Sequence, residues 1–353
     1  MSSFPAPNSI FDLGASALDA QMALWRQPKF RAGQIWQWLY VHMVSDWDEM
    51  TNLPKSLREQ LAHVYTLGPL APIGEQISSD GQTEKTLFRL VDGATIESVL
   101  MHYEGRNTVC VSTQVGCPIG CTFCATGQSG FERNLTAGEI IAQPLYFASR
   151  LRAQAQSVSH IVVMGMGEPL INYDATWQAV GTWNDQRGFN VGARRITLST
   201  AGYIPGIERL AEESLQVGLA VSLHAPTDAL RSDLVPLNKT YPLADLLKAC
   251  QAYIARTGRR ITFEYALIDG INDSPAQARH LAALLNRLLC HINLIPLNPS
   301  SGSNLRPSSS GRVSEFQRIL EENGIAVTVR LRRGIDIQAG CGQLRQQSKQ
   351  DHP

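Results

Sequence analysis

Three cysteines stand close together in one glycine-containing stretch of the chain: Cys117, Cys121 and Cys124, within Gly116–Gly127 (GCPIGCTFCATG). Their Cys-x3-Cys-x2-Cys spacing lets a tight loop turn three thiolates toward one point. Soft thiolate ligands select zinc or an iron–sulfur cluster. A structural zinc ion takes four protein ligands, and no fourth Cys or His is nearby in the sequence. Three cysteines therefore suit a [4Fe-4S] cluster with one open iron; zinc completed from elsewhere in the chain is the alternative.

Four further cysteines bring the total to seven. An odd number in a chain without an export signal is not typical of a disulfide scaffold. Cys110 lies between two valines, Cys250 lies on the apolar face of a helical pattern, and Cys290 opens an apolar run, so the residues alone favour core positions for all three. Cys341 is different, because a glycine on each side gives its thiol a mobile, uncrowded backbone. An incidental loop thiol is the alternative for Cys341.

The elements that would position these thiols alternate regularly from about residue 108 onward. Six short, apolar, β-rich runs are separated by helical patterns, which predicts βα units and a parallel sheet. No Gly-x-Gly-x-x-Gly turn follows the first strand, so we expect an α/β fold with a partial or complete barrel. The three-cysteine loop then lies after a strand, where barrel enzymes place their chemistry. The expected strands are Val109–Val115, His160–Met164, Arg195–Leu198, Leu219–Leu223, Ile261–Tyr265 and Ile292–Leu297.

The beginning of the chain has a different character from the rest. An aromatic-rich helical stretch, Gln34–Tyr40, is followed by a second helix that Pro54 opens at a first-turn position. We therefore expect a small N-terminal helical accessory domain with linking strands at residues 1–90. The barrel core with the Cys341 loop would occupy residues 91–345, and residues 346–353 would form a tail.

Composition and charge limit the function classes. The 353 residues are 44% hydrophobic and 18% charged, so a sizeable core is available. The 31 Lys and Arg residues balance 31 Asp and Glu residues, which argues against a histone-like polycation. A neutral total still permits a local basic face: Arg330, Arg332 and Arg333 lead into the Cys341 loop and could hold phosphates or be ordinary solvated charges. No apolar run approaches the roughly 20 residues of a membrane span, and no signal peptide is visible, so we expect a cytoplasmic protein without a membrane partner.

Five short motifs together resemble one enzyme family. The three-cysteine loop, with an aromatic residue before its last cysteine, resembles the cluster motif of radical S-adenosyl-L-methionine (SAM) enzymes, and Gly165–Pro169 (GMGEP) resembles their Gly-Glu-Pro motif. The whole set is similar to the RlmN/Cfr group, which are adenine methyltransferases that act on 23S rRNA and, for RlmN, also on tRNA. The other three motifs are Ser222–Pro226 (SLHAP), Ile295–Pro299 (IPLNP) and Ala339–Leu344 (AGCGQL).

The resemblance implies a radical SAM partial (β/α)6-type barrel with a small N-terminal helical domain. In that group the open iron of the cluster binds the amino and carboxylate groups of SAM, and reductive cleavage yields a 5′-deoxyadenosyl radical. Without the resemblance, we would favour capping of a turn for Ser199 and a satisfied structural position for His224. The SAM contacts carry over to Gly167, Glu168, Ser199, Ser222, Leu223, His224 and Asn298.

The resemblance also assigns catalytic roles to Cys341 and Cys110. Cys341 would accept a methyl group from one SAM molecule, and the radical from a second SAM would remove hydrogen from that methyl group. The methylene radical would add to the adenine ring, and Cys110 would release the protein–RNA adduct by forming a disulfide with Cys341. A covalent carrier is needed because an adenine ring carbon is too weakly nucleophilic for direct methyl transfer.

Glu97 matches the proton acceptor of that group. It lies in Thr95–Met101, the second of two apolar runs that we expect to pair as strands, the first being Thr86–Val91. Removal of the ring proton after addition needs a base near the adenine. A solvent-facing strand carboxylate is the alternative, because strand alternation permits it.

The function expected from the resemblance is methylation of adenine carbon 2 in 23S rRNA and, in tRNA, of the adenine next to the anticodon. A Cfr-like enzyme that methylates carbon 8 is the alternative with the same chemistry, and a zinc-binding RNA module without catalysis is the alternative from another class. The expected partners are 23S rRNA, tRNA and an electron donor such as flavodoxin. Trp36, Trp38 and Tyr40 could then help to grip RNA, although core packing is the commoner use of such aromatics.

Overall fold

The structure is a computed structural model that describes residues 8–299, 303–330 and 332–344. The expected tail at 346–353 and residue 345 lie outside the described residues. The helices α1 to α11 are, in chain order, Ala15–Leu24, Phe30–Gln37, Lys55–Val64, Ala125–Gln128, Ala137–Arg152, Tyr173–Asn184, Ile204–Ala211, Asp228–Leu234, Leu243–Thr257, Pro275–Leu285 and Ser310–Glu322. The strands β1 to β14 are Asn8–Ser9, Tyr65–Thr66, Leu70–Ile77, Thr83–Leu90, Thr95–Tyr103, Arg106–Cys110, Gln114–Gly116, Phe131–Asn134, His160–Val163, Ile196–Thr200, Gly218–Ser222, Ile261–Leu267, Cys290–Pro296 and Val327–Val329.

Ten strands form one sheet in the order β14-β13-β12-β11-β10-β9-β6-β5-β4-β3. All neighbouring pairs from β14 to β6 are parallel, and helices lie between these strands in the chain. The remaining strands, β5, β4 and β3, extend the sheet in antiparallel fashion. The ends β14 and β3 do not pair with each other in the described chain, so the sheet is open. The prediction of an α/β fold with a mostly parallel, incompletely closed sheet is confirmed.

Five of the six expected strands, β9 to β13, agree with the prediction to within two residues at each end. The prediction for the first strand was wrong, because β6 ends at Cys110 and Val115 lies in β7, which pairs with β8 in a separate two-stranded sheet. Between β6 and β7 the buried side chain of Gln143 takes the backbone hydrogen bonds that a neighbouring strand would otherwise make. Its Nε2 donates to the carbonyl oxygen of Ser112 and its Oε1 accepts from the amide of Ser112, both at 2.8 Å. This exchange lets the chain leave the sheet and turn toward Cys117.

The expected hairpin is present and belongs to the large sheet. Strands β4 and β5 pair in antiparallel register across the turn at Asp92 and Gly93. The domain boundary expected between residues 90 and 91 therefore falls in a turn that joins two paired strands of the same sheet. Strand β3, which the sequence analysis did not predict, covers the outer edge of β4 and contains a register shift between Pro72 and Gly74.

The N-terminal helices α1 to α3 share the main hydrophobic core with the barrel through buried side chains on each helix. Trp36 and Tyr40 are 4% and 1% exposed, and their ring centroids lie 4.4 Å apart, so their expected use in the core is confirmed. Helix α2 continues into a π-helical turn over Trp38–His42, and the Trp38 indole donates to Asn52 Oδ1 at 2.6 Å. Within the described residues we find no helix with the length and apolarity needed to span a bilayer.

Candidate active site

The three-cysteine loop lies between β7 and α4 and is shaped by glycine. Gly116 has a φ of +75°, and a Cβ on it would lie 2.0 Å from the carbonyl oxygen of Gly130. The amide of Cys117 donates to that same oxygen at 2.8 Å. The amide of Cys124 donates to the carbonyl oxygen of Cys121 at 3.1 Å, which closes a turn between the second and third cysteines. These turns place all three thiols on the wall of one cavity, which we call the cluster cavity.

The three thiols fit an iron–sulfur cluster better than a single zinc ion. Each is a partly exposed free cysteine. Burial raises the pKa of Cys121, and the neighbouring Cys124 and Cys117 thiols raise it further, so the three sulfurs are close in space. A structural zinc ion takes four protein ligands, whereas an iron–sulfur cluster held by three thiolates keeps one iron open for a further ligand.

Most of the expected SAM contacts line the same cluster cavity as the three cysteines. They come from the ends of neighbouring strands, as expected for a site at the carboxyl edge of a parallel sheet. Leu223 differs, because its side chain is fully buried and does not line the cavity, and its carbonyl oxygen accepts from Arg231 Nε at 3.1 Å. The expected residues that do line the cavity are Gly167, Glu168, Ser199, Ser222, His224 and Asn298.

Glu168 is a buried carboxylate without a cation. Its Oε2 accepts from the amide of Ala201 at 2.6 Å, and its Oε1 accepts from the amide of Leu170 at 3.2 Å. Burial raises the pKa of Glu168 to about 7. No ion pair of the described chain includes it. A buried carboxylate needs a positive partner, so this position suits the amino group of a ligand such as SAM.

His224 also lines the cluster cavity and is held in place on two sides. Its Nδ1 accepts from the amide of Ala266 at 2.9 Å, and its ring packs edge-on against Phe123 with 4.8 Å between centroids. Burial, with a smaller effect of the Arg231 charge, lowers the pKa of His224 to about 3. A neutral ring whose Nδ1 accepts carries its proton on Nε2, so the side chain can offer one donor to a ligand. His224 is therefore both a hydrogen-bonded structural residue and part of the cavity wall.

The Cys341 loop is tied to the three-cysteine loop. The amide of Ala125 donates to the carbonyl oxygen of Gly342 at 2.7 Å. Asn298 Nδ2 donates to the carbonyl oxygen of Cys341 at 3.3 Å, while its Oδ1 is buried and has no partner among the described residues. A Cβ at Gly340 would lie 2.6 Å from that Nδ2, so only glycine fits this close approach. The loop thus holds Cys341 at the cavity and leaves one buried acceptor for a ligand.

Cys341 lies on the walls of two cavities. The first is the cluster cavity, and the second, which we call the thiol cavity, is lined by both Cys341 and Cys110, with apolar walls that include Met101 and Val162. Cys110 is buried, and this burial, with the neighbouring Cys341 thiol, raises the pKa of Cys110 to about 12. Both cysteines are free thiols, so the expected disulfide is not formed in this structure. The fold therefore brings Cys110 and Cys341, which are far apart in the sequence, to the wall of one cavity.

Glu97 is buried beside these residues. It is 1% exposed, and its Oε1 lies 3.0 Å from Nζ of Lys85 on the neighbouring strand β4. The solvent-facing alternative is therefore wrong. Glu97 is absent from the described lining of both cavities, but Val99, on the same face of β5, lines the thiol cavity. Its role as a base stays a prediction.

Arg330 and Glu264 belong to the site, and the sequence analysis did not assign them to it. Arg330 lines both cavities, and its Nη1 lies 3.7 Å from Glu264 Oε2. The neighbouring Cys341 thiol, followed by Glu264, raises the pKa of Arg330 against the effect of burial. The sequence did carry one signal for this pair, since Glu264 is an acidic residue within the mostly apolar strand β12. A buried carboxylate requires a partner, which predicts a cation near it.

Arg231 is a second residue that the sequence analysis missed. Its side chain is fully buried behind the cluster cavity. Its Nη2 donates to the carbonyl oxygens of Ala201 and Ser222 at 2.7 and 3.1 Å. These two carbonyls follow or end neighbouring strands, so the guanidinium fixes the spacing of the strand ends that carry the SAM contacts.

Comparison with known proteins identifies the family. Residues 8–67 match the family described as "Ribosomal RNA large subunit methyltransferase N-terminal domain", and residues 111–282 match the "Radical SAM superfamily". The "Probable dual-specificity RNA methyltransferase RlmN" of Chloroflexus aurantiacus is 51% identical over 346 residues, covering 95% of this chain and 92% of that protein. The protein of the same description from Geobacillus thermodenitrificans is 48% identical over 347 residues, covering 98% of this chain and 95% of that one.

This chain belongs to the RlmN family of radical SAM methyltransferases. A crystal structure described as a radical SAM methyltransferase from Sphaerobacter thermophilus agrees with this assignment, with 54% sequence identity, a TM-score of 0.94 and coverage of 96% of this chain and 99% of that one. Membership in the radical SAM superfamily implies SAM and an iron–sulfur cluster as cofactors. The orphan Glu168 carboxylate, the free Asn298 acceptor and the three thiols of this RlmN-family chain fit those two groups.

Proposed function

We propose that this chain methylates carbon 2 of adenine in 23S rRNA and in tRNA, with SAM as methyl source and Cys341 as carrier. One observation supports this most directly: Cys341 lies on the walls of both the cluster cavity and the thiol cavity. A single thiol can therefore take up a methyl group on one side and deliver it to a base on the other. The relatives described as dual-specificity RNA methyltransferases support RNA as the substrate.

The residues of the cluster cavity would hold the cofactors. Cys117, Cys121 and Cys124 would bind a [4Fe-4S] cluster, which supplies the electron for reductive cleavage of SAM. Glu168 would accept hydrogen bonds from the SAM amino group, because it is a buried carboxylate without another cation. His224 would donate from Nε2. An electron donor such as flavodoxin would be the redox partner.

The two cysteines of the thiol cavity would act in sequence. The exposed Cys341 sulfur would attack the methyl carbon of SAM and displace S-adenosylhomocysteine. The radical from a second SAM would then take a hydrogen atom from the S-methyl group, so that the methylene carbon can add to the adenine ring. Burial raises the pKa of Cys110 to about 12, so its thiol is protonated at neutral pH and has to give up that proton when it reacts. After a base has taken the ring proton, the Cys110 sulfur would bond to the Cys341 sulfur while the bond between Cys341 and the methylene carbon breaks. That carbon would take up a proton to become the methyl group, and the one extra electron left on the disulfide would return to the cluster that supplied it.

The RNA product tests this function. In RNA from cells that lack the gene, mass spectrometry should show loss of 2-methyladenosine from both 23S rRNA and tRNA. The wild-type gene should restore it, and a gene with Cys341→Ala should not. Loss of 8-methyladenosine would favour the Cfr-like alternative, and an unchanged set of methyladenosines would contradict both and favour a zinc-binding RNA module.

Glu97→Gln should separate the two halves of the reaction. Methylation of Cys341 should proceed as in the wild type, because it does not involve the adenine ring. Release of methylated RNA should slow by roughly a hundredfold or more, the usual contribution of a positioned base. Intact-protein mass spectrometry would follow the first half and single-turnover RNA methylation the second.

Glu84→Gln is the matched control, because Glu84 lies on β4 and pairs with His102 and Arg150 instead of Lys85. It should leave both halves unchanged. A Glu97→Gln enzyme that releases product at the wild-type rate would remove Glu97 from the reaction.

A further inference from the structure

The mouth of the thiol cavity carries cationic side chains that the reaction above does not use. The guanidinium groups of Arg106 and Arg333 lie over the ring of Tyr103, 4.2 and 4.3 Å from its centroid. Tyr103 and Arg333 line the thiol cavity, and so does Arg332. We call these four residues the arginine collar. They come from the β5–β6 hairpin and from the segment that leads into the Cys341 loop.

The charges of the collar are not neutralised at close range. None of its arginines takes part in an ion pair of the described chain. Arg333 Nη1 donates to the carbonyl oxygen of His102 at 3.1 Å and to Gln82 Oε1, which orients the side chain, and its charge acts on Asp80 without a direct ion pair. Arg332 is exposed. Asp80 and Glu104, in the turns before β4 and β6, balance at most two of the three collar charges, whereas the deeper Arg330 already faces Glu264.

The interior of the cavity is of a different kind from its mouth. Val99 and Met101 give it apolar walls, and Cys110 and Cys341 lie on the same walls. A flat heteroaromatic base suits such walls, whereas an anionic backbone has to stay at the mouth. Phosphate oxygens are the anions that the planar fork of arginine binds best.

We propose that the arginine collar binds the backbone phosphates next to the target adenine while the adenine enters the thiol cavity. This inference rests on the proposed function and specifies its RNA contact. Cation–π contacts with Tyr103 hold two guanidinium groups in place before RNA arrives, which lowers the cost of ordering them on binding. The target base has to leave its stack to reach Cys341, and phosphate contacts at the mouth hold the backbone in that opened form.

The salt dependence of RNA binding tests the collar. The probe is a synthetic RNA stem–loop with the target adenine in its loop, titrated into the reconstituted holoenzyme at several salt concentrations. Each phosphate contact contributes about 0.7–0.9 to the slope of log K against log salt concentration. Arg332→Ala should lower the slope by about that amount and weaken binding roughly three- to tenfold. Arg332→Lys, which keeps the charge, should retain most of the slope.

Arg279→Ala is the matched control, because Arg279 is exposed on α10 and lies outside both cavities. It should match the wild type in slope and affinity. Equal behaviour of Arg332→Ala and Arg279→Ala, whether both unchanged or both weakened, would overturn the collar. Methyl transfer to the same RNA, measured in parallel, tests the proposed function separately. A wild-type enzyme that binds this RNA with the full salt dependence but transfers no methyl group would contradict the proposed function and would still support phosphate binding by the arginine collar.

Discussion

Cys110→Ala protein purified from cells is expected to carry RNA covalently attached through Cys341. The substitution leaves the cluster cavity intact, so the methyl group can still be loaded and added to adenine. Cys110 is the second thiol of the thiol cavity, and without it no sulfur there can release the adduct. The effect should be close to all-or-none, with most of the chain trapped and turnover lost. Intact-mass analysis and nuclease treatment would identify the attached RNA.

Two variants control for this result. Cys250→Ala removes a fully buried cysteine on α9 that lines neither cavity, and it should give protein without RNA. Cys341→Ala combined with Cys110→Ala should also be free of RNA, because the carrier is gone. A Cys110→Ala protein that is free of RNA and turns over normally would reduce Cys110 to a packing residue.

The parallel part of the fold could be predicted because its signals are local. Strands β9 to β13 are short apolar runs between helical patterns, and each keeps its ladder on both sides. The first strand could not be predicted in full. Its apolar run continues to Val115, but the chain leaves the sheet after Cys110 because Gln143, on a distant helix, takes the hydrogen bonds of Ser112.

The cysteine chemistry was visible in the sequence, but its surroundings were not. Spacing singled out the three-cysteine loop, and the family resemblance singled out Cys341 and Cys110, since the residues alone favoured a core position for Cys110 and allowed an incidental loop thiol for Cys341. The burial of Glu97 depends on Lys85, which approaches only when β4 and β5 pair. No local pattern reports such a contact between two strands.

The arginine collar shows the same limit over a longer distance. Arg333 was open to two interpretations in the sequence, and Tyr103 carried no signal at all. Their cation–π contact forms because the segment before the Cys341 loop returns to the β5–β6 hairpin. Contacts between segments this far apart are set by the tertiary fold, which short motifs do not encode.

The central claim is that the methyl carbon passes through the sulfur of Cys341 and loses one hydrogen on the way. The direct measurement uses SAM with three deuterium atoms on its methyl group, together with the reconstituted enzyme and an RNA stem–loop. Protein already methylated on Cys341 from unlabelled SAM has to be turned over first, so products of later turnovers are analysed by mass spectrometry. If Cys341 carries the methyl carbon, the methyladenosine should retain two deuteriums and the third should appear in 5′-deoxyadenosine. A product that retains all three deuteriums would show direct transfer from SAM and would exclude Cys341 as the carrier.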